Sequence, residues 1–141
     1  MGYTHYYQLH RELTSAEMKA FIRSAVKIRE MAWDIALDGD YKDDYLILNG
    51  VGAESHEDFY LNRTNLSWNF CKTNQKPYDD VVTALLILAR YLFPQAITVS
   101  SDGSWSRWSA GRELFTQAIC LEPAESSVFG GQDFDHERGG N

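Results

Sequence analysis

Cysteine is nearly absent from this sequence. Cys71 and Cys120 are the only two in 141 residues, and no CxxC spacing relates them. That argues against a disulfide framework and leaves a reduced pair of buried thiols as the expectation. Long hydrophobic runs are missing too. The longest, around residues 81–88, is far too short to span a bilayer, and no charged-then-apolar leader opens the chain. An intracellular protein with no membrane contact is expected, so the acceptor patterns Asn62-Arg63-Thr64 and Asn65-Leu66-Ser67 read as chance matches. Cations are scarce: 13 Lys and Arg face 20 Asp and Glu, a formal charge of −7. General binding to a nucleic-acid backbone needs clustered cations and is disfavoured, whereas a basic protein surface suits this balance.

The usual signatures of chemistry are also lacking. No GxSxG stands in the chain, and Ser100 has no assignable His–Asp partners. The glycine-rich stretch of a P-loop is absent. His5, His10, His56 and His136 show no HxxxH spacing, and residues 38–44 lack the glycine and terminal Glu of an EF-hand, so no metal or cofactor is expected. That acidic run reads as a solvated loop.

What is present is a core. Hydrophobic residues make up 44% and aromatics 13%, which excludes global disorder and fits one domain. Residues 3–7 alternate as a strand. Thr14 and Glu17 form a capping-box pair that starts a helix. Its apolar stripe runs through Met18, Phe21, Ile22, Ala25, Ile28, Ala32 and Ile35, and Asp38-Gly39-Asp40 stops it. Residues 45–48 read as a strand closed by a tight Asn49-Gly50 turn. Residues 59–61 and 67–71 read as a further hairpin. A second helix over residues 78–93 is apolar on most sides, which places it centrally, and Pro94 ends it. Residues 96–100 form a strand with Asp102-Gly103 as its turn, and a third helix reaches Leu121. The predicted fold is α+β: a mixed or antiparallel sheet of about five strands, with two to three helices mainly on one face. Residues 1–121 form the globular domain. Residues 122–141 carry Glu122, Glu125, Asp133, Asp135 and Glu137 against Arg138 alone, and read as an acidic tail that adds little to folding.

The richest stretch is residues 70–80, which sets Lys72, Thr73, Lys76 and Tyr78 before a helix start. Backbone N–H groups point outward unsatisfied there, so two lysines and a hydroxyl can hold a phosphate or carboxylate. The competing reading is structural: Asp79 or Asp80 complements the helix dipole, Pro77 sits in the first turn, and the lysines are solvated. Alternation puts Tyr3, His5 and Tyr7 on one face of the first strand and Thr4 and Tyr6 on the other. Tyr3 and His5 can line a pocket that stacks a planar ring, or can be an aromatic core edge. Residues 100–104 can bind an anion at their hydroxyls and turn amides, or simply make a turn. Trp105, Arg107 and Trp108, with Arg112 beyond, suit a partner interface unless both indoles close the core. Cys71 beside Lys72 is either a thiol of depressed pKa or a buried inert one.

Three motifs occur together: residues 1–7 as Met-Gly-Tyr-Thr-His-Tyr-Tyr, Phe70-Cys71-Lys72-Thr73 with Lys76-Pro77-Tyr78-Asp79, and Val99-Ser100-Ser101-Asp102-Gly103. In this combination the chain resembles a family of small uncharacterised proteins of bacteriophages and prophages, over roughly residues 1–120. Family members often carry Trp where this chain has Tyr7. The resemblance implies a phage accessory protein in the cytoplasm of a bacterial host, in a class rich in inhibitors of bacterial defence. The expected function is non-enzymatic. It is inhibition of a host defence protein by binding it, or sequestration of a nucleotide-like signal by Tyr3, His5, Lys72, Thr73, Lys76 and Tyr78. The alternative is a small enzyme acting on a nucleotide or ADP-ribose-like substrate, with His5 or Asp79 as acid–base group and Lys72 as anion holder.

Overall fold

A capping box starts the first helix where the sequence predicts it. In the computed structural model, which describes residues 2–130 and residue 134, Thr14 Oγ1 accepts from the Glu17 amide at 3.0 Å. Glu17 Oε1 accepts from the Thr14 amide at 2.8 Å. Two amides that a helix start leaves open are thereby satisfied. Arg11 grips the same carboxylate with two bonds of 2.9 Å and holds Glu17 far below the usual carboxylate range, at about 2. The helix that follows, α1 (Ser15–Met31), turns Met18, Phe21, Ala25 and Ile28 inward.

The second helix, α2 (Asp79–Leu92), is buried at every position from Val81 to Arg90. A helix apolar on nearly all sides has to be enclosed on all sides. It packs against α1, against α3 (Ser109–Ile119) and against a four-residue α4 (Glu125–Val128). Phe21, Val82, Leu85 and Leu86 are all at most 2% exposed, as their positions in the two stripes predict.

The α+β class holds, but the strands form two three-stranded antiparallel sheets, not one sheet of about five. One has the order β5-β1-β6, from β1 (Thr4–Leu9), β5 (Asn69–Lys72) and β6 (Ile97–Ser101). The other has the order β2-β3-β4, from β2 (Leu37–Tyr41), β3 (Tyr45–Gly50) and β4 (Phe59–Asn62). Residues 59–71 are therefore not a hairpin: β4 pairs with β3 and β5 with β1. The link between them is held elsewhere. Arg63 Nε donates to Asp44 at 2.7 Å, and the Arg63 carbonyl accepts from the Leu13 amide at 2.9 Å. These bonds carry the chain away from β4 before β5 begins. The sheets meet at Tyr7, whose hydroxyl donates to the Tyr60 carbonyl at 2.8 Å and accepts from the Tyr60 amide at 3.2 Å.

Two other expectations change. Asp38-Gly39-Asp40 does not stop a helix: α1 ends at Met31, and these residues form β2 against Leu48 and its neighbours. Asn49-Gly50 is not a tight turn but the end of β3. There Asn49 Oδ1 accepts from the Gly50 amide at 2.7 Å and from the His56 amide at 3.0 Å, so the side chain organises the longer loop that follows.

The hydrophobic core also continues past Leu121. Val128 is 1% exposed and Phe134 is 6% exposed, and Phe129 packs edge-on against Trp105 and Trp108. The Ser127 carbonyl accepts from Arg90 Nε at 2.8 Å, which helps to satisfy a guanidinium buried in α2. The sequence hides this because α4 is only four residues long and sits among polar neighbours. Asp133, Asp135, His136, Glu137 and Arg138 of the predicted tail lie outside the described residues. Among the described residues no helix is long and apolar enough to cross a membrane.

One substitution and one truncation test this packing by urea denaturation. Leu86→Ala is expected to cost on the order of 2–5 kcal/mol. Truncation after Leu121 removes a buried Val and a buried Phe, each worth about 1.5–3 kcal/mol, so it is expected to cost on the order of 3 kcal/mol or more. An unchanged midpoint for the truncated chain would show that residues 122–130 and Phe134 merely rest on the surface.

Candidate functional site

The three motif stretches of the sequence meet at one place. β1 is central in its sheet, and its register sets His5 opposite Cys71 on one side and Ser101 on the other. The inward alternation of β1 then aims His5 at the start of α2, and His5 is fully buried. Between β5 and α2 the chain makes a tight turn, with Asn74 and Gln75 both in the left-handed region (φ 55° and 58°). The turn folds Thr73 back toward Asp79.

A hydrogen-bonded chain results. Asp79 Oδ1 accepts from His5 Nε2 and from Thr73 Oγ1, each at 2.5 Å. The other ring nitrogen, His5 Nδ1, is 2.7 Å from Ser101 Oγ. Ser101 Oγ also accepts from the Gly103 amide at 2.9 Å and from Trp108 Nε1 at 3.2 Å. A hydroxyl has one proton to give and two lone pairs to receive with. Both lone pairs are taken, so the donor count assigns the Ser101 proton to His5 Nδ1 and the ring proton to Nε2. The rings of Tyr3 and Trp108 stand edge-on to His5, each centroid 5.1 Å away.

One atom here is left over. Tyr3 is 5% exposed, and its hydroxyl has no hydrogen-bond partner among the described residues. It lies beside Ser101 without the geometry of a bond, and hard against Gly103, where any Cβ would collide with it. Burial first, then the Asp79 charge, push its pKa up to about 12, while Arg107 pulls the other way.

The predicted ligand residues separate accordingly. Tyr3, His5 and Thr73 come together, but around Asp79 and inside the protein. Tyr78 is also fully buried; it is turned into the core and donates to the Glu57 carbonyl at 2.5 Å. Lys72 and Lys76 are half-buried, and their ammonium groups bond to no described residue; the Lys72 stem crosses over Gly2. Of the predicted interface, Trp108 is a core residue at 1% exposure. Trp105 is half-buried under Phe129, with the Arg112 guanidinium 4.7 Å from its ring, and Arg107 alone is exposed. Burial pushes the Cys71 thiol up to about 12, so it is the inert alternative. Among the described residues no group of three or more His, Cys, Asp or Glu is placed to hold a metal.

Sequence reasoning missed Ser101 as the partner of His5. It also missed the other face of β1. Tyr6 pairs with Phe70 across the strands and points outward. Trp68 stacks on Tyr6 (centroids 5.4 Å, planes 18° apart) and leans on Phe70 at 5.5 Å. Trp68 is 57% exposed and Phe70 52%, and the Tyr6 hydroxyl is tied down by Asp102 at 3.0 Å. The available signal was the i, i+2 spacing of two large aromatics in a strand, which puts both on one face. Another exposed aromatic, Trp33, borders a depression that also contains Asp34 and Asp80. Comparison with protein-family models, with curated proteins and with solved structures finds no match.

The inner chain has measurable consequences. His5→Ala and Asp79→Ala each remove a bond to a charged group, worth about 1.5–3 kcal/mol. The double variant should lose clearly less than the sum, because the two side chains share one interaction. Tyr3→Phe deletes an unpartnered buried hydroxyl and should leave stability equal or higher at neutral pH. The Tyr3 pKa is higher folded than unfolded, so its contribution is intact below pH 10 and lost as pH rises toward 12. Alkaline unfolding of Tyr3→Phe should therefore begin at higher pH than that of the parent. The same onset in both would remove Tyr3 from the account.

Proposed function

We propose that this chain is a small phage accessory protein that acts by binding, in the cytoplasm of a bacterial host, and inhibits a defence system by covering one of its proteins. One observation carries the reading: Trp68 and Phe70 stand exposed on the outer face of a sheet, packed on each other and on the half-buried Tyr6, on which Trp68 stacks. Rigid aromatic groups held in place before contact lose little entropy on binding and dominate interfaces of this kind. The net charge of −7 suits a basic target. Sequestration of a nucleotide-like signal has less support, because Tyr3, His5, Thr73 and Tyr78 are buried.

A second reading, the small enzyme acting on a nucleotide or ADP-ribose-like substrate, draws on the Asp79–His5–Ser101 chain. A carboxylate orienting an imidazole that takes a hydroxyl proton is the arrangement of an activated nucleophile. Against it, Ser101 Oγ already makes all three of its hydrogen bonds within the protein.

The readings part in a plaque assay. The chain and its variants are expressed in bacteria that carry one defence system each, then challenged with a phage that the system blocks. Trp68→Ala and Phe70→Ala are expected to abolish rescue of the phage while circular dichroism stays unchanged. Each should cost roughly 2 kcal/mol or more against the isolated target, as interface anchors do. Full rescue by both aromatic variants, with loss in Ser101→Ala alone, would move the function to the inner chain.

A further inference from the structure

Away from β1, α1 and the β2–β3 hairpin do not close on each other. Between them lies a cleft of about 160 Å³, walled by Ala25, Val26, Leu46 and Leu85. The composition of β2 leaves it open: at the middle of the strand it offers only Gly39, flanked by Asp38 and Asp40, with the large Tyr41 side chain at the strand's end. At Val26 and Tyr41 the cleft opens into a wider basin of about 520 Å³. Lys19, Arg23 and Lys42 border that basin, and Arg29 borders the cleft. None of these four cations forms an ion pair with a described residue. Asp40 and Asp43 also border the groove, so its balance is +4 − 2 = +2 in a chain whose total is −7.

A dry apolar cavity of about 150 Å³ is enough to hold benzene. Unpaired cations around an apolar slot complement a molecule with one oily end and one negative end. We propose that this groove binds an amphiphilic organic anion. Its apolar part, a ring or short alkyl chain of about that size, fills the cleft. Its phosphate or carboxylate rests on Lys19, Arg23 and Lys42, and the half-exposed Tyr41 ring covers the join. Neither the aromatic face nor the Asp79–His5–Ser101 chain takes part.

Calorimetric titration of the full chain tests this with three probes: octyl phosphate, adenosine monophosphate and inorganic phosphate. An organic phosphate is expected to bind at least about tenfold more tightly than inorganic phosphate. If octyl phosphate is the tighter of the two organic probes, the natural ligand is lipid-like. If adenosine monophosphate is tighter, it is a nucleoside phosphate. Arg23→Gln combined with Lys42→Gln should weaken the tighter probe by about tenfold or more, and these exposed positions leave the core untouched. Val26→Phe should weaken it with the charges unchanged, by filling the mouth of the cleft. Equal affinity for inorganic phosphate, no binding of either organic probe, or variants that bind like the parent would each overturn the proposal.

Discussion

Helix α2 leaves the rest of the chain little freedom. Ten consecutive residues, Val81 to Arg90, are buried, and nearly all are apolar. No single sheet face or helix stripe can cover such a cylinder. The other helices and strand β6 are arranged around it, and so is the short helix after Pro123. The one cation in the run, Arg90, is accommodated because its guanidinium finds carbonyls from Pro94, Ile97 and Ser127. A buried charge without such partners costs several kcal/mol, on the order of 3–5. The C-terminal segment is thus part of how the central helix is tolerated at all.

Strand β1 divides the functional possibilities by its two faces. Its inner residue His5 joins a hydrogen-bonded chain that links β1, the start of α2 and the end of β6, with the Tyr3 ring edge-on beside it. Its outer residue, Tyr6, joins a stack open to solvent. Alternation makes this separation automatic. The inner chain fixes where β1 lies, and the outer stack inherits that rigidity. Chemistry and contact are therefore not competing for the same atoms. Of the candidate groups, the inner ones are committed to one another, while Trp68 and Phe70 are committed to nothing but each other and Tyr6.

Much of the local structure was legible. The capping box at Thr14 and Glu17, the inward stripe of α1 and the all-round apolar run of α2 are visible because they depend on residues three and four apart. Strand partners were not legible. Alternation says which way a side chain faces but not which strand lies beside it, so β4 and β5 were paired with each other although they belong to different sheets. β2 was hidden because Asp-Gly-Asp opposes strand propensity, and pairing with β3 overrides it. His5 and Thr73 were assigned to one pocket, yet their bonding to Asp79, and that of His5 to Ser101, was not foreseen. The His5 contacts reach residues 74 and 96 positions away. Proximity of that kind is a product of the whole fold, and no local pattern encodes it.

The position of β1 also has a consequence for synthesis. It leaves the ribosome before the other elements described, yet both of its partner strands come far later, at residues 69–72 and 97–101. Two sides of an aromatic strand, with their amides and carbonyls, wait unpaired while most of the chain is made. Such a segment is a template for association with neighbouring chains until its own partners arrive. A nascent chain stalled before residue 101 would thus expose the aggregation hazard that the finished protein conceals at its centre.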